Sequence, residues 1–112
     1  MKSFAELEPK EYDVLFRGLY APILLKIGLE KDLYQDQDQD HRSIFIPEVA
    51  HEIDQRLEEL DRDSFYFCYS KDGKLGEIVC EKLAKMGMSR PTNLKGGMHA
   101  WEEYSFISNL AS

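Results

Sequence analysis

Residues 64–86, SFYFCYSKDGKLGEIVCEKLAKM, decide the fold. An apolar run ends in Cys68, a short polar loop follows, and an amphipathic helix pattern starts at once. At such a junction a parallel sheet presents its ligands, and the helix behind it offers unpaired backbone N–H groups to anything negative. A cysteine placed there is a candidate thiolate working on an oxyanion. The helix carries Leu75, Ile78, Val79, Leu83 and Met86 on one face, Cys80 at the edge of that stripe, and Gly87 where a left-handed C-terminal cap belongs.

Working outward, Arg90–Leu94 is a short strand, Lys95-Gly96-Gly97 a turn, and Met98 to Leu110 a helix with Trp101 and Tyr104 on its buried face. Upstream, Phe65-Tyr66-Phe67 is the strand that feeds the loop. Before it, Val49, Ile53, Leu57 and Leu60 fall on one helical face from Glu48 onward, leaving His51 on the wet side. Ile44-Phe45-Ile46 is a strand ended by Pro47, and Ile23 to Ile27 a strand buried on both faces. A helix near 9–19 begins at Pro9, with Gly18 as its terminator. Strands alternating with helices at these spacings predict an α/β domain, a mostly parallel central sheet with helices on both faces.

The segment from Leu33 to Arg42 alternates Asp and Gln and reads as a solvated loop. It resembles the opening of a calcium loop only superficially: the glycine is absent and Pro47 stands where the bidentate Glu belongs.

With 112 residues, 43% of them hydrophobic, the chain supports one domain over 1–112 and one core. Fourteen basic against twenty-one acidic residues leave a formal charge of −7, which repels nucleic acid, and Lys71 and Lys74 are an island of two. No apolar run reaches the length of a membrane span, and the N-terminus lacks a secretory pattern. Two cysteines make no disulfide framework. The expectation is a cytoplasmic protein without membrane or nucleic-acid partners, metal or cofactor.

The stretch FYFC, its polar loop and helix, and Asn93-Leu94-Lys95-Gly96-Gly97-Met98-His99-Ala100-Trp101 downstream resemble a single-domain rhodanese module of the thiosulfate sulfurtransferase type. Residues 41–47, HRSIFIP, resemble the family's Gly-His-Ile-Pro region without its first glycine; the likeness is clearest over 43–104. The resemblance implies the rhodanese-like fold and a nucleophilic cysteine, here Cys68, in a loop that binds substrate through Tyr69, Ser70, Lys71, Asp72, Gly73 and Lys74. Two departures stand out. The family's Asp-x-Arg at the end of the second strand is Lys26-Ile27-Gly28 here. Sulfurtransferases carry Gly three residues after the cysteine and Arg or Thr two later; here the sequence is Cys68-Tyr69-Ser70-Lys71-Asp72-Gly73-Lys74, and the span to Gly87 is two residues longer than typical. Cysteine, five residues, then a cation is the spacing of the phosphatase and arsenate-reductase branch, which uses Arg where Lys74 stands.

Lys71, Lys74 and the backbone N–H groups from Tyr69 to Lys74 favour a thiolate at Cys68, and Asp72 opposes it. The resemblance implies that the thiolate takes sulfane sulfur from a small sulfur-containing anion or a persulfide donor and passes it to a thiophilic acceptor such as a protein thiol. Phosphoryl or arsenate chemistry is the runner-up, weakened because Lys lacks the planar fork of Arg. A non-catalytic binding module is the third reading. On spacing alone Cys68 is equally a buried structural residue, as Cys80 is in the helix stripe.

Overall fold

The apolar runs and helical stripes build five strands and four helices among residues 3–29 and 42–111, which the computed structural model describes. In chain order these are β1 (Ala5–Leu7), α1 (Pro9–Gly18), β2 (Ile23–Gly28), β3 (Arg42–Pro47), α2 (Ala50–Glu58), β4 (Tyr66–Ser70), α3 (Lys74–Lys85), β5 (Thr92–Leu94) and α4 (Gly97–Ala111). The strands form one sheet in the order β1-β5-β4-β2-β3, and every pairing is parallel. This is the α/β architecture expected, with helices on both faces. The segment 33–41 lies outside the described residues, and Arg42 opens β3.

β4 is central, and all five of its residues are buried. Because side chains alternate along a strand, β4 feeds two cores. Tyr66 and Cys68 join Leu25, Ile27, Ile53, Leu57, Val79, Cys80 and Leu83 under α2 and α3. Phe67 and Tyr69 join Tyr12, Phe16 and Leu94 under α1, with Trp101 of α4 packed against them. Tyr12 and Phe16 meet the Phe67 ring edge-on, at centroid distances of 5.3 and 5.0 Å. Each such side chain contributes about 1.5–3 kcal/mol by leaving water, so the sheet's central strand is also its best anchored.

Several local expectations change. α1 does end at Gly18, but without a left-handed cap there: the chain leaves through Leu19 in an extended conformation, and Ala21 takes the left-handed turn at φ 51°. β1 has only three residues, too few for periodicity to show, and exists because it pairs with β5. On α3 the buried face runs through Gly76, Val79, Cys80 and Leu83, while Ile78 is 48% exposed. Gly87 does end α3 as expected: at φ 88° it lets its own N–H reach the Ala84 carbonyl and the Met88 N–H reach that of Leu83.

Candidate functional site

The strand that carries the site is longer than its apolar run. Tyr69 and Ser70 continue the ladder opposite Lys26 and Ile27 of β2, so β4 ends at Ser70 and not at Cys68. Tyr69 stays in the sheet because its ring has a core to enter on the α1 face. Parallel register then sets out rows across the sheet. Glu6, Asn93, Cys68, Leu25 and Ile44 form one row through all five strands. Ser70, Ile27 and Ile46 form the next row on the same face, nearer the carboxyl edge. Cys68 therefore lies two residues, about 6.6 Å along the strand, behind the edge where the loop begins.

This arrangement divides the expected site residues. Cys68 is fully buried among Leu25, Val79, Cys80 and Leu83, and Tyr69 lies in the opposite core. Neither reaches the loop. The other five are brought together at the carboxyl edge. Lys71, Asp72 and Lys74, all exposed, line a cleft of about 280 Å³ with Ile27, Gly28, Glu48 and Leu75. Gly73 is the N-cap residue of α3 at φ 92°. Ser70 sits beneath them, 1% exposed, its Oγ accepting the Gly76 N–H at 3.1 Å. The loop is thus Lys71-Asp72-Gly73, and it starts from a serine. Counted from Ser70, Gly73 stands three residues on, the spacing the sulfurtransferase resemblance calls for, and the apparent two-residue extension disappears.

The cleft occupies the crevice outside the carboxyl ends of β2, β3 and β4, where parallel sheets place ligands. Its lining carries two lysines and two carboxylates. Asp72 turns back on the loop, Oδ1 accepting the Lys74 N–H at 3.0 Å, and so caps α3 where the helix itself leaves donors unpaired. Among the described residues the N–H groups of Asp72 and Gly73 have no protein acceptor. With Lys71 and Lys74 they stand at the N-terminus of α3, the kind of place where a helix leaves donors open to an anion.

Sequence reasoning missed the residues that hold this loop in place. The glycine pair presses on it directly: a β-carbon on Gly97 would lie 2.2 Å from the Ser70 carbonyl oxygen and 2.5 Å from the Gly73 nitrogen. His99, in the first turn of α4, donates its N–H to the Lys71 carbonyl at 3.2 Å. Asn93 of β5, wholly buried, donates from Nδ2 to the Gly73 carbonyl at 3.1 Å and to Glu6 of β1 at 3.0 Å. Glu48 and Gly28 enter the cleft only through the sheet's register, since the Glu48 N–H binds the Gly28 carbonyl. For Asn93, Gly97 and His99 the sequence signal is their place in the Asn93–Trp101 stretch that carries the family resemblance; Glu48 and Gly28 had none.

Behind the loop the two cysteines are neighbours, and both are reduced. A hydrogen bond with Cys68, then burial, pushes the Cys80 thiol far above its ordinary range. Among the described residues no group of three or more His, Cys, Asp or Glu could hold a metal ion, and no helix is long and apolar enough to cross a membrane.

No protein-family model matches the chain. Over 89 residues it is 31% identical to the Bacillus subtilis (strain 168) protein named "Putative sulfurtransferase YtwF", covering 73% of this chain and 85% of that one. Its fold is similar to that of a rhodanese-like domain protein from Staphylococcus aureus, with a TM-score of 0.68 at 17% identity over 88% of this chain and 91% of the other. It is also similar to the rhodanese-like domain of the Anabaena Alr3790 protein, with a TM-score of 0.62 at 18% identity over 93% and 76%. Reduced CoADR-RHD from Bacillus anthracis matches with a TM-score of 0.66 at 23% identity, over 88% of this chain and 16% of the larger one.

Proposed function

The chain belongs to the rhodanese-like family, and from that premise we propose that it is an anion-binding rhodanese module whose loop carries no sulfur of its own. The observation behind this reading is Ser70 at the strand end. Persulfide formation needs a thiolate at the floor of the loop: it attacks the outer sulfur of thiosulfate, the S–S bond to the sulfonate breaks, and sulfite leaves with the electron pair. A serine hydroxyl has no such step open to it. As a nucleophile for phosphoryl groups it would need a base within hydrogen-bond reach, and among the described residues Ser70 Oγ is bonded to the Gly76 N–H alone. The loop keeps its cations and free N–H groups, so binding is what remains for it to do. Its ligand class is a small divalent oxyanion, or the anionic end of a larger molecule, held by Lys71, Lys74 and the Asp72 and Gly73 amides.

A second reading follows from the likeness to a protein named as a sulfurtransferase. There Cys68 carries the sulfur, after a movement that brings its fully buried thiol out past Ser70. The two differ in where an anion acts. Titration with thiosulfate, followed by amide NMR, is expected to shift the Lys71–Leu75 signals reversibly and to leave Cys68 and Cys80 reduced. Irreversible change at Cys68 supports the second reading, and an unmoved loop removes the first.

A further inference from the structure

A buried side chain behind the loop has a polarity that packing alone does not require. Asn93 is fully buried, and both of its amide N–H bonds are used, one on the Gly73 carbonyl at 3.1 Å and one on the Glu6 carboxylate at 3.0 Å. Its Oδ1 has no partner and faces Gly76, where a β-carbon would lie 2.1 Å away. We propose that Glu6 and Asn93 are the positioning pair of the cleft, with Glu6 setting the direction of the Asn93 amide and Asn93 setting the Gly73–Lys74 peptide plane, which in turn fixes the preceding peptides that carry the loop's open donors. The proposal rests on the anion-binding reading of that cleft.

The orientation follows from counting donors and acceptors. Gly73 and Glu6 both offer acceptors, so they select the NH₂ end of the amide; the flipped amide would put Oδ1 against a carbonyl and a carboxylate. Glu6 is held opposite Asn93 by strand register, and β1 is locked there by the Ala5 N–H on Pro91 and the Lys95 N–H on Leu7. On the loop side, the Gly73 carbonyl accepts from Asn93 and from the Glu77 N–H at 3.0 Å. Carbonyl and N–H of one peptide point opposite ways. The Lys74 N–H on the far side of that plane is held by Asp72 at 3.0 Å. Asn93 and Asp72 thus grip one peptide plane from its two sides, and the preceding Asp72 and Gly73 amides are aimed as a result. A space-filling residue at position 93 would strand no Oδ1, but it would also give up both donors, to the Gly73 carbonyl and to Glu6.

The test compares Glu6→Ala and Glu6→Gln in the full chain by amide hydrogen exchange and by sulfate titration. In Glu6→Ala the Gly76 and Glu77 amides are expected to exchange roughly tenfold faster, with Ile53 and Leu57 of α2 unchanged, and sulfate binding to weaken by a similar factor. Glu6→Gln, whose Oε1 still accepts from Asn93, is expected to stay near wild type in both. Wild-type exchange in Glu6→Ala, or equal losses in the two variants, overturns the proposal. If sulfate leaves the wild-type loop unmoved, the cleft reading falls while the exchange ratios still decide the pair. Asn93→Asp, which places a carboxylate beside Glu6, should exceed Glu6→Ala at Gly76; slower exchange than wild type there also overturns it.

Discussion

Gly97 stands against the Ser70 carbonyl so closely that a β-carbon would sit 2.2 Å from the oxygen. The glycine pair after β5 is therefore the back wall of the loop, and it joins the two conspicuous stretches of the sequence in one object. Gly97→Ala is expected to cost roughly 3 kcal/mol or more, because backbone and not a flexible side chain must give way. Gly87 is the control: it also has a positive φ, 88°, but nothing lies within 4 Å of its would-be β-carbon. Gly87→Ala should cost only the left-handed strain, about 1 kcal/mol. Urea unfolding of both variants checks the difference.

Charge in the cleft is balanced, so removing one sign should shift anion binding in a definite direction. Asp72→Asn keeps an Oδ1 for the Lys74 N–H and thus keeps the cap. It should tighten sulfate binding roughly threefold without lowering helix stability. Lys71→Gln and Lys74→Gln should each weaken it by about the same factor and flatten its dependence on salt. Calorimetric titration at two ionic strengths reads both effects.

The Cys80 thiol gives the fold a weakness in alkali. Its folded-state pKa is raised above the ordinary value of 9.0, so below that pH both states hold the proton and the full stability is present. Above it the unfolded chain releases a proton that the folded chain keeps, and stability falls as pH rises. The share from this one thiol reaches about 1.4 kcal/mol per pH unit. Cys80→Ala should fall less steeply above pH 9; parallel stability curves for the two proteins would contradict this.

Much of the architecture was legible because the signals are periodic. The stripe from Val79 to Leu83, the buried run from Ile23 to Ile27 and the capping Gly87 each follow from local patterns that the structure keeps. The strand end was not legible. A strand buried on both faces has no polar alternation to mark its limit, and Tyr69-Ser70 looks like a loop until β2 and the α1 core are there to receive it. The serine at that end has no local pattern of its own, whereas the cysteine two residues before it fits the nucleophile pattern. The brace formed by Glu6 and Asn93 spans 87 residues of sequence, and only the pairing of β1 with β5 brings its ends together.

Which atom lies at the floor of the loop decides whether sulfur can be carried there, and mass spectrometry after incubation with thiosulfate tests that directly. The wild-type protein and Cys68→Ser are expected to gain no sulfur, and Ser70→Cys to gain one sulfur atom, because that substitution supplies a thiolate where the loop already presents its cations and N–H groups. A wild-type protein that gains one sulfur, lost again in Cys68→Ser, would contradict the account and place the sulfur on Cys68.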